Sequence, residues 1–164
     1  MNAGSGPRLI LLCGLPGSGK TTLAKHLADE TPAVRLCPDE WMSDLDIDLF
    51  DESTRARLEK RFWDHAQELL NLGQSVILEF GFWARSERDE KRLTAHALGV
   101  LVELHYLSAS IDELTRRLQA RNAAGGRGTV PISREMLKEY AKLFEAPSDD
   151  ELELFDEPAP KRRG

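Results

Sequence analysis

Residues 14–21 read GLPGSGKT, directly behind the apolar run Leu9-Ile10-Leu11-Leu12-Cys13 and ahead of a helical pattern. That order demands a buried strand, a tight anion-gripping turn and a helix. Gly14, Gly17 and Gly19 permit backbone conformations that a Cβ would forbid, so successive N–H groups turn inward as a nest for phosphate. Leu15, Pro16, Ser18 and Thr22 complete the expected binding loop. Lys20 supplies positive charge for the β and γ phosphates, and Thr21 supplies a hydroxyl for Mg²⁺. The helix that follows points its positive end at the same anion. ATP with Mg²⁺ is the expected ligand pair.

The 164 residues suffice for one core, so a single domain over 1–157 is expected, with 158–164 as a disordered tail. A net charge of −6 offers no broad basic field for a long nucleic acid. No apolar run approaches the ~18 residues of a membrane span, and Met1 to Pro7 lacks the basic start and apolar core of a signal peptide. A cytoplasmic protein follows as the expectation. Cys13 and Cys37 each end a strand and read as buried thiols, and the four histidines show no ligand spacing.

Apolar runs alternate with helical patterns along the chain, which predicts an α/β fold of three layers: a mainly parallel sheet with helices on both faces. Five strands are expected, in the order 2-3-1-4-5: Leu9 to Cys13, Ala33 to Cys37, Ser75 to Phe80, Val100 to Leu107, and a short edge strand at Leu152 to Phe155. A long helix capped by Asp51 or Ser53 carries Leu58, Phe62, Ala66, Leu69 and Leu70 and closes at Gly73. Its charges, Arg55, Arg57, Glu59, Lys60 and Arg61, read as a solvated face. Asn122 to Gly128 is too Gly-rich for a helix interior and predicts a flexible loop, after which Ser133 caps a further helix.

Open parallel sheets bind ligands outside the carboxyl ends of their strands, so polar residues there are the candidates for chemistry. Asp39 follows strand two, where its carboxylate can take the proton of an attacking hydroxyl; the alternative is an N-cap for the next helix. Glu79 ends strand three and needs a partner, whether Mg²⁺-bound water, substrate or an arginine. Arg116, Arg117, Arg121 and Arg127 flank the Gly-rich loop, and the stretch 116–134 has the pattern of a lid. Arg85 and Arg88 begin the helix after strand three, beside the expected acceptor. Trp41, Phe80, Phe82 and Trp83 lie at the same end, either lining a pocket or capping the core. Asp39, Lys20, Arg88 and Arg121 form the expected catalytic set, and Arg117 and Arg121 join the loop as nucleotide ligands.

With GLPGSGKTTLA at Gly14 to Ala24, Asp39, Arg88, Arg117, Arg121 and Phe144-Glu145-Ala146-Pro147, the chain resembles a known group. These are the small P-loop kinases related to the kinase domain of polynucleotide kinase, to chloramphenicol phosphotransferase and to zeta toxin. The resemblance spans roughly Leu9 to Glu157. It implies transfer of the γ-phosphate of ATP to a hydroxyl, with Asp39 as base, Arg121 on phosphate, and the residues near the last strand framing adenine. The stretches LCPDEWM and LEFGFWARSERD also resemble short bacterial proteins known as AAA-type ATPases. The helical lid domain and two-acid strand end of an AAA module are absent from the pattern. Polynucleotide kinases carry an Asp-Asn-Thr-Asn type stretch where this chain has Glu79-Phe80-Gly81-Phe82-Trp83. A small-molecule hydroxyl acceptor is therefore expected in preference to a nucleic-acid 5′ end, and a nucleotide-dependent switch is the third reading.

Overall fold

A run of five apolar residues such as Leu9 to Cys13 must be covered on both faces, and β1 (Arg8–Cys13) is buried throughout. In the computed structural model, which describes residues 6–125 and 131–160, β1 lies between two parallel neighbours. With β2 (Ala33–Leu36), β3 (Ser75–Gly81) and β4 (Leu101–Tyr106) it makes a four-stranded parallel sheet in the order β2-β3-β1-β4. Side chains alternate across that sheet. Leu9 and Leu11 meet Phe62, Trp63 and Ala66 of α3 (Glu52–Asn71) and Ala95 of α4 (Arg85–Ala97). Ile10 and Leu12 instead meet Leu23, Ala24 and Leu27 of α1 (Lys20–Glu30). Beyond β4, α5 (Ile111–Ala124) and α6 (Arg134–Leu143) share a third cluster of Leu114, Leu118 and Leu137, against which Leu15 of the phosphate loop packs. No helix among the described residues is long and apolar enough to cross a membrane.

Two expectations are corrected. Leu152 to Phe155 is not a strand, and the sheet of the described residues has four strands rather than five. Ser148 accepts from the Glu151 N–H and caps α7 (Asp149–Leu152), whose acids suit a helix start. Asp156 closes the outer edge of β4 at Val102: its N–H donates to Val102 O at 2.8 Å, and its Oδ2 accepts from Val102 N at 2.8 Å. Asn122 to Ala124 continue α5, since none of them requires the left-handed backbone that Gly125 adopts at φ 61°. The remainder of the expected loop, with Arg127, lies outside the described residues. Pro158 to Pro160 line a cavity of about 230 Å³ with Leu23 and Leu27, and residues 161–164, the rest of the expected tail, lie outside the described residues.

Arg88 departs furthest from its expected place. Its side chain is fully buried, with Nε and Nη2 donating to Glu151 at 2.6 and 3.0 Å and Nη1 to Phe82 O at 2.7 Å. It does not line the cavity around the phosphate loop, and it joins α4, α7 and the turn after β3. The turn needs such a tie because Gly81 and Phe82 both adopt positive φ, at 83° and 49°. Removing one partner of a buried ion pair strands the other charge, so Arg88→Met is expected to lower the unfolding free energy by roughly 3–5 kcal/mol in urea titration. The Arg88→Met/Glu151→Leu double variant should recover most of that loss.

Candidate functional site

β1 enters the sheet between β3 and β4, so a crevice opens at its carboxyl end, where the chain's progress across the sheet reverses. Gly14 N donates to Gly81 O at 3.0 Å and Leu107 N to Cys13 O at 2.9 Å, tying the loop's start to the ends of both neighbours. Gly17, at φ 83°, lies so close to α5 that a Cβ would stand 2.9 Å from Leu118 Cγ. The loop therefore reaches α5 only without a side chain there. Lys20 folds over its own loop, Nζ donating to Gly14 O at 3.0 Å and Leu15 O at 2.9 Å. Burial pulls its ammonium down to about 8, with Arg121 adding and Asp39 opposing.

Around this loop lies a cavity of about 660 Å³. Gly14, Pro16, Gly17, Gly19, Lys20, Thr21 and Thr22 line it. Leu15 and Ser18 of the expected set do not, because Leu15 packs into the α5/α6 cluster and Ser18 is buried. Arg117 and Arg121 of α5 line the same cavity, and Arg117 Nη1 donates to Ser18 O at 3.2 Å. Arg116 turns to Glu113 and is exposed.

The acid on β3 reaches this loop through the sheet's own alternation. β3 carries one extra residue opposite β1 between the pairs Leu11/Leu78 and Cys13/Gly81. Glu79 shares the face of Ile77, the side covered by α1, and meets Thr21 at that helix's start: Thr21 Oγ1 donates to Oε1 at 3.1 Å. Arg35 of β2 donates to Oε2 at 3.1 Å, so Glu79 holds both a loop hydroxyl and an arginine. Burial raises its carboxyl, while Arg35 and Thr21 pull the other way. The Thr21 hydroxyl and Glu79 carboxylate are hard oxygen donors of the kind Mg²⁺ accepts beside phosphate oxygens. Among the described residues, no three His, Cys, Asp or Glu side chains gather into a metal cage.

Asp39 also lines the cavity. It does not cap α2 (Pro38–Asp44), whose N-cap is Cys37 with Pro38 following, so its carboxylate is left for other partners. Arg55 of α3 supplies one at 2.5 Å, and its Nη2 donates to Leu49 O at 2.8 Å. Of the expected aromatics, Phe80 and Trp83 line the cavity; Phe82 is core, stacked on Phe80 with centroids 5.3 Å apart. Trp41 lies edge-on to Phe62. Phe144 stacks on Tyr106, and Glu145 N donates to Trp83 O at 2.8 Å. The Phe144 to Pro147 stretch thus braces the pocket from behind and does not line it.

The site is that of a phosphate loop facing a carboxylate, and a family model described as an AAA domain, AAA_33, matches residues 9–147. The chain belongs to this family. No curated protein matches it. Among solved structures it is similar to a gluconokinase from Sinorhizobium meliloti 1021, at 20% identity over 88% of this chain and 78% of that one, with a TM-score of 0.63. It is similar to a sugar kinase from Janibacter sp. HTCC2649, at 24% identity over 88% and 82%, with a TM-score of 0.62. It also matches a chain of the Pnkp1/Rnl/Hen1 RNA repair complex at 21% identity and TM-score 0.68, covering 98% of this chain and 50% of that one. Together these bear out the resemblance to small P-loop kinases, and the fold is theirs.

Within this family member, sequence reasoning missed Arg35, Arg55, Glu52, Glu59, Glu87 and Tyr140. The last five line the cavity. Glu52, Arg55 and Glu59 recur at spacings of three and four, which places them on one helical face. That spacing was the available signal; which way the face points was not. Arg35 gave a further signal, as a lone charge in a short apolar strand.

Only the ammonium form of Lys20 attracts phosphate, and its free form titrates near 8 rather than at an ordinary lysine's 10.5. Affinity for ATP, measured by calorimetry, should therefore hold between pH 6.5 and 7.5 and weaken about tenfold by pH 9. A flat profile to pH 9.5 would show Lys20 titrating as an ordinary lysine.

Proposed function

We propose that the chain is a kinase moving the γ-phosphoryl group of ATP to a hydroxyl of a small molecule. One observation carries this reading: a single cavity joins the phosphate loop to the Asp39 carboxylate. Neighbours described as a gluconokinase and a sugar kinase support a hydroxylated acceptor. The loop N–H groups, Lys20, Arg117 and Arg121 bind the phosphates and face the charge that spreads over the equatorial oxygens during transfer. Thr21 and Glu79 would hold Mg²⁺, which would neutralise part of the phosphate charge. Asp39 accepts the proton of the acceptor hydroxyl as the new oxygen–phosphorus bond forms and the bond to the ADP oxygen breaks, its electron pair leaving with ADP. Arg55 holds that carboxylate in place while the proton moves. The cytoplasm, with its ATP and a redox poise that keeps Cys13 and Cys37 as thiols, suits this chemistry.

The reading is tested by ADP release with Mg²⁺, ATP and a panel of hydroxyl-bearing compounds. One acceptor should stimulate release, and Asp39→Asn should cut the stimulated rate by about 10²–10⁴-fold while ATP binding is kept, as loss of a general base does. A variant as active as wild type would leave Asp39 without a catalytic role and favour a nucleotide-dependent switch.

A further inference from the structure

The cavity is divided by charge. Lys20 of α1 and Arg117 and Arg121 of α5 line it, and so do four carboxylates from other elements, Asp39 of α2, Glu52 and Glu59 of α3, and Glu87 of the first turn of α4. Glu79 lines it too and is neutralised by Arg35. Arg55 is the one cation that α2, α3 and α4 contribute to the described lining, and it is already engaged by Asp39 and the Leu49 carbonyl. The other cations near α4 are directed elsewhere. Arg88 is buried against Glu151, Arg85 and Arg92 pair with Asp89, and Lys91 lies 5.2 Å over the Trp63 ring. An anionic acceptor would meet carboxylates there with no guanidinium left to receive it.

Two further features fit the opposite charge. Trp83 and Tyr140, with ring centroids 5.1 Å apart, both line the cavity and offer the aromatic faces over which ammonium and guanidinium groups settle. Glu59 is pushed up to about 7, first by burial and then by Glu87 and Asp39, with Arg55 and Lys91 opposing. A cation placed between Glu59 and Glu87 relieves that repulsion.

We propose that the acceptor is a cationic alcohol, a small molecule whose ammonium or guanidinium group sits between Glu59 and Glu87 against Trp83 while its hydroxyl faces Asp39. This rests on the phosphotransfer reading of the same cavity. The positive group takes no part in bond making. Its hydroxyl oxygen forms the bond to the γ phosphorus, its hydroxyl proton passes to Asp39, and ADP leaves as before.

The test uses the full chain with Mg²⁺ and ATP and matched acceptor pairs: amino sugars and amino-cyclitols, each beside its N-acetylated form, with sugar acids as the anionic arm. The amines should be used with the highest kcat/KM, and N-acetylation should raise KM about tenfold, as losing one charge-assisted contact does. Glu59→Gln/Glu87→Gln should raise KM for amines by a similar factor of about ten while kcat and the KM for ATP stay within about threefold. Because Glu87 is exposed, Glu87→Lys serves as a second variant and should move preference toward the sugar acids. Equal use of amine, acetylated and acid forms overturns the proposal, as does an unchanged KM in both variants. If no member yields a phosphorylated product, the phosphotransfer reading fails on its own account. Calorimetry with a non-hydrolysable ATP analogue then decides the charge preference separately. Amine binding that is lost in Glu59→Gln/Glu87→Gln upholds the cation site, and no amine binding overturns it.

Discussion

β1 donates and accepts hydrogen bonds along both edges and, past Arg8 at its start, shows only apolar residues on both faces, so it has one stable place, the middle of a covered parallel sheet. The rest of the site follows from that constraint. Strands joined in parallel on either side of β1 leave the phosphate loop at the crevice where their carboxyl ends diverge. The bond from Gly14 N to Gly81 O and the bond from Leu107 N to Cys13 O hold the loop's first residue against the turns after β3 and before α5. The same sheet alternation that buries Ile77 against α1 delivers Glu79 to the Thr21 hydroxyl. Packing and chemistry share one register.

Charge is then partitioned by depth. Arg88 and Glu151 satisfy each other in the interior and spend their hydrogen bonds on holding a strained turn, which sets the position of Phe80 and Trp83 on the cavity wall. Arg35 does comparable service for Glu79, whose side chain is nearly inaccessible and would otherwise be an uncompensated buried acid. Cations used in this way are no longer available to ligands. What faces the cavity is accordingly uneven, with lysine and arginine from the phosphate loop and α5 and mostly carboxylates from α2, α3 and α4.

The phosphate loop, its flanking strand and helix, the Asp51 and Ser133 caps and the alternation of strands with helices were all legible in the chain, because each rests on neighbours within a few residues. Arg88 illustrates the opposite case. Its place in sequence, at the head of a helix beside the expected acceptor, suits a surface ligand as well as an interior tie; its partner is 63 residues away and only the folded chain brings it near. Leu152 to Phe155 has a strand's composition. The Ser148 cap and the demand of Arg88 for Glu151 turn the preceding residues into a helix instead. On α3 the charged residues were readable as a stripe, but a stripe looks the same whether it faces water or a cavity.

By itself, then, the sequence determined the motif that grips phosphate, the α/β class of the fold and the presence of a carboxylate just after the second strand. These depend on backbone conformations and periodicities that short stretches of chain dictate locally. Only the tertiary structure decided that Arg88 lies inside, that Arg55 rather than solvent meets Asp39, and that Glu59 and Glu87 look into the cavity. Each of those outcomes is a pairing or a cost of burial between distant segments, and electrostatic energies of that kind exist only once the segments share a low-dielectric space.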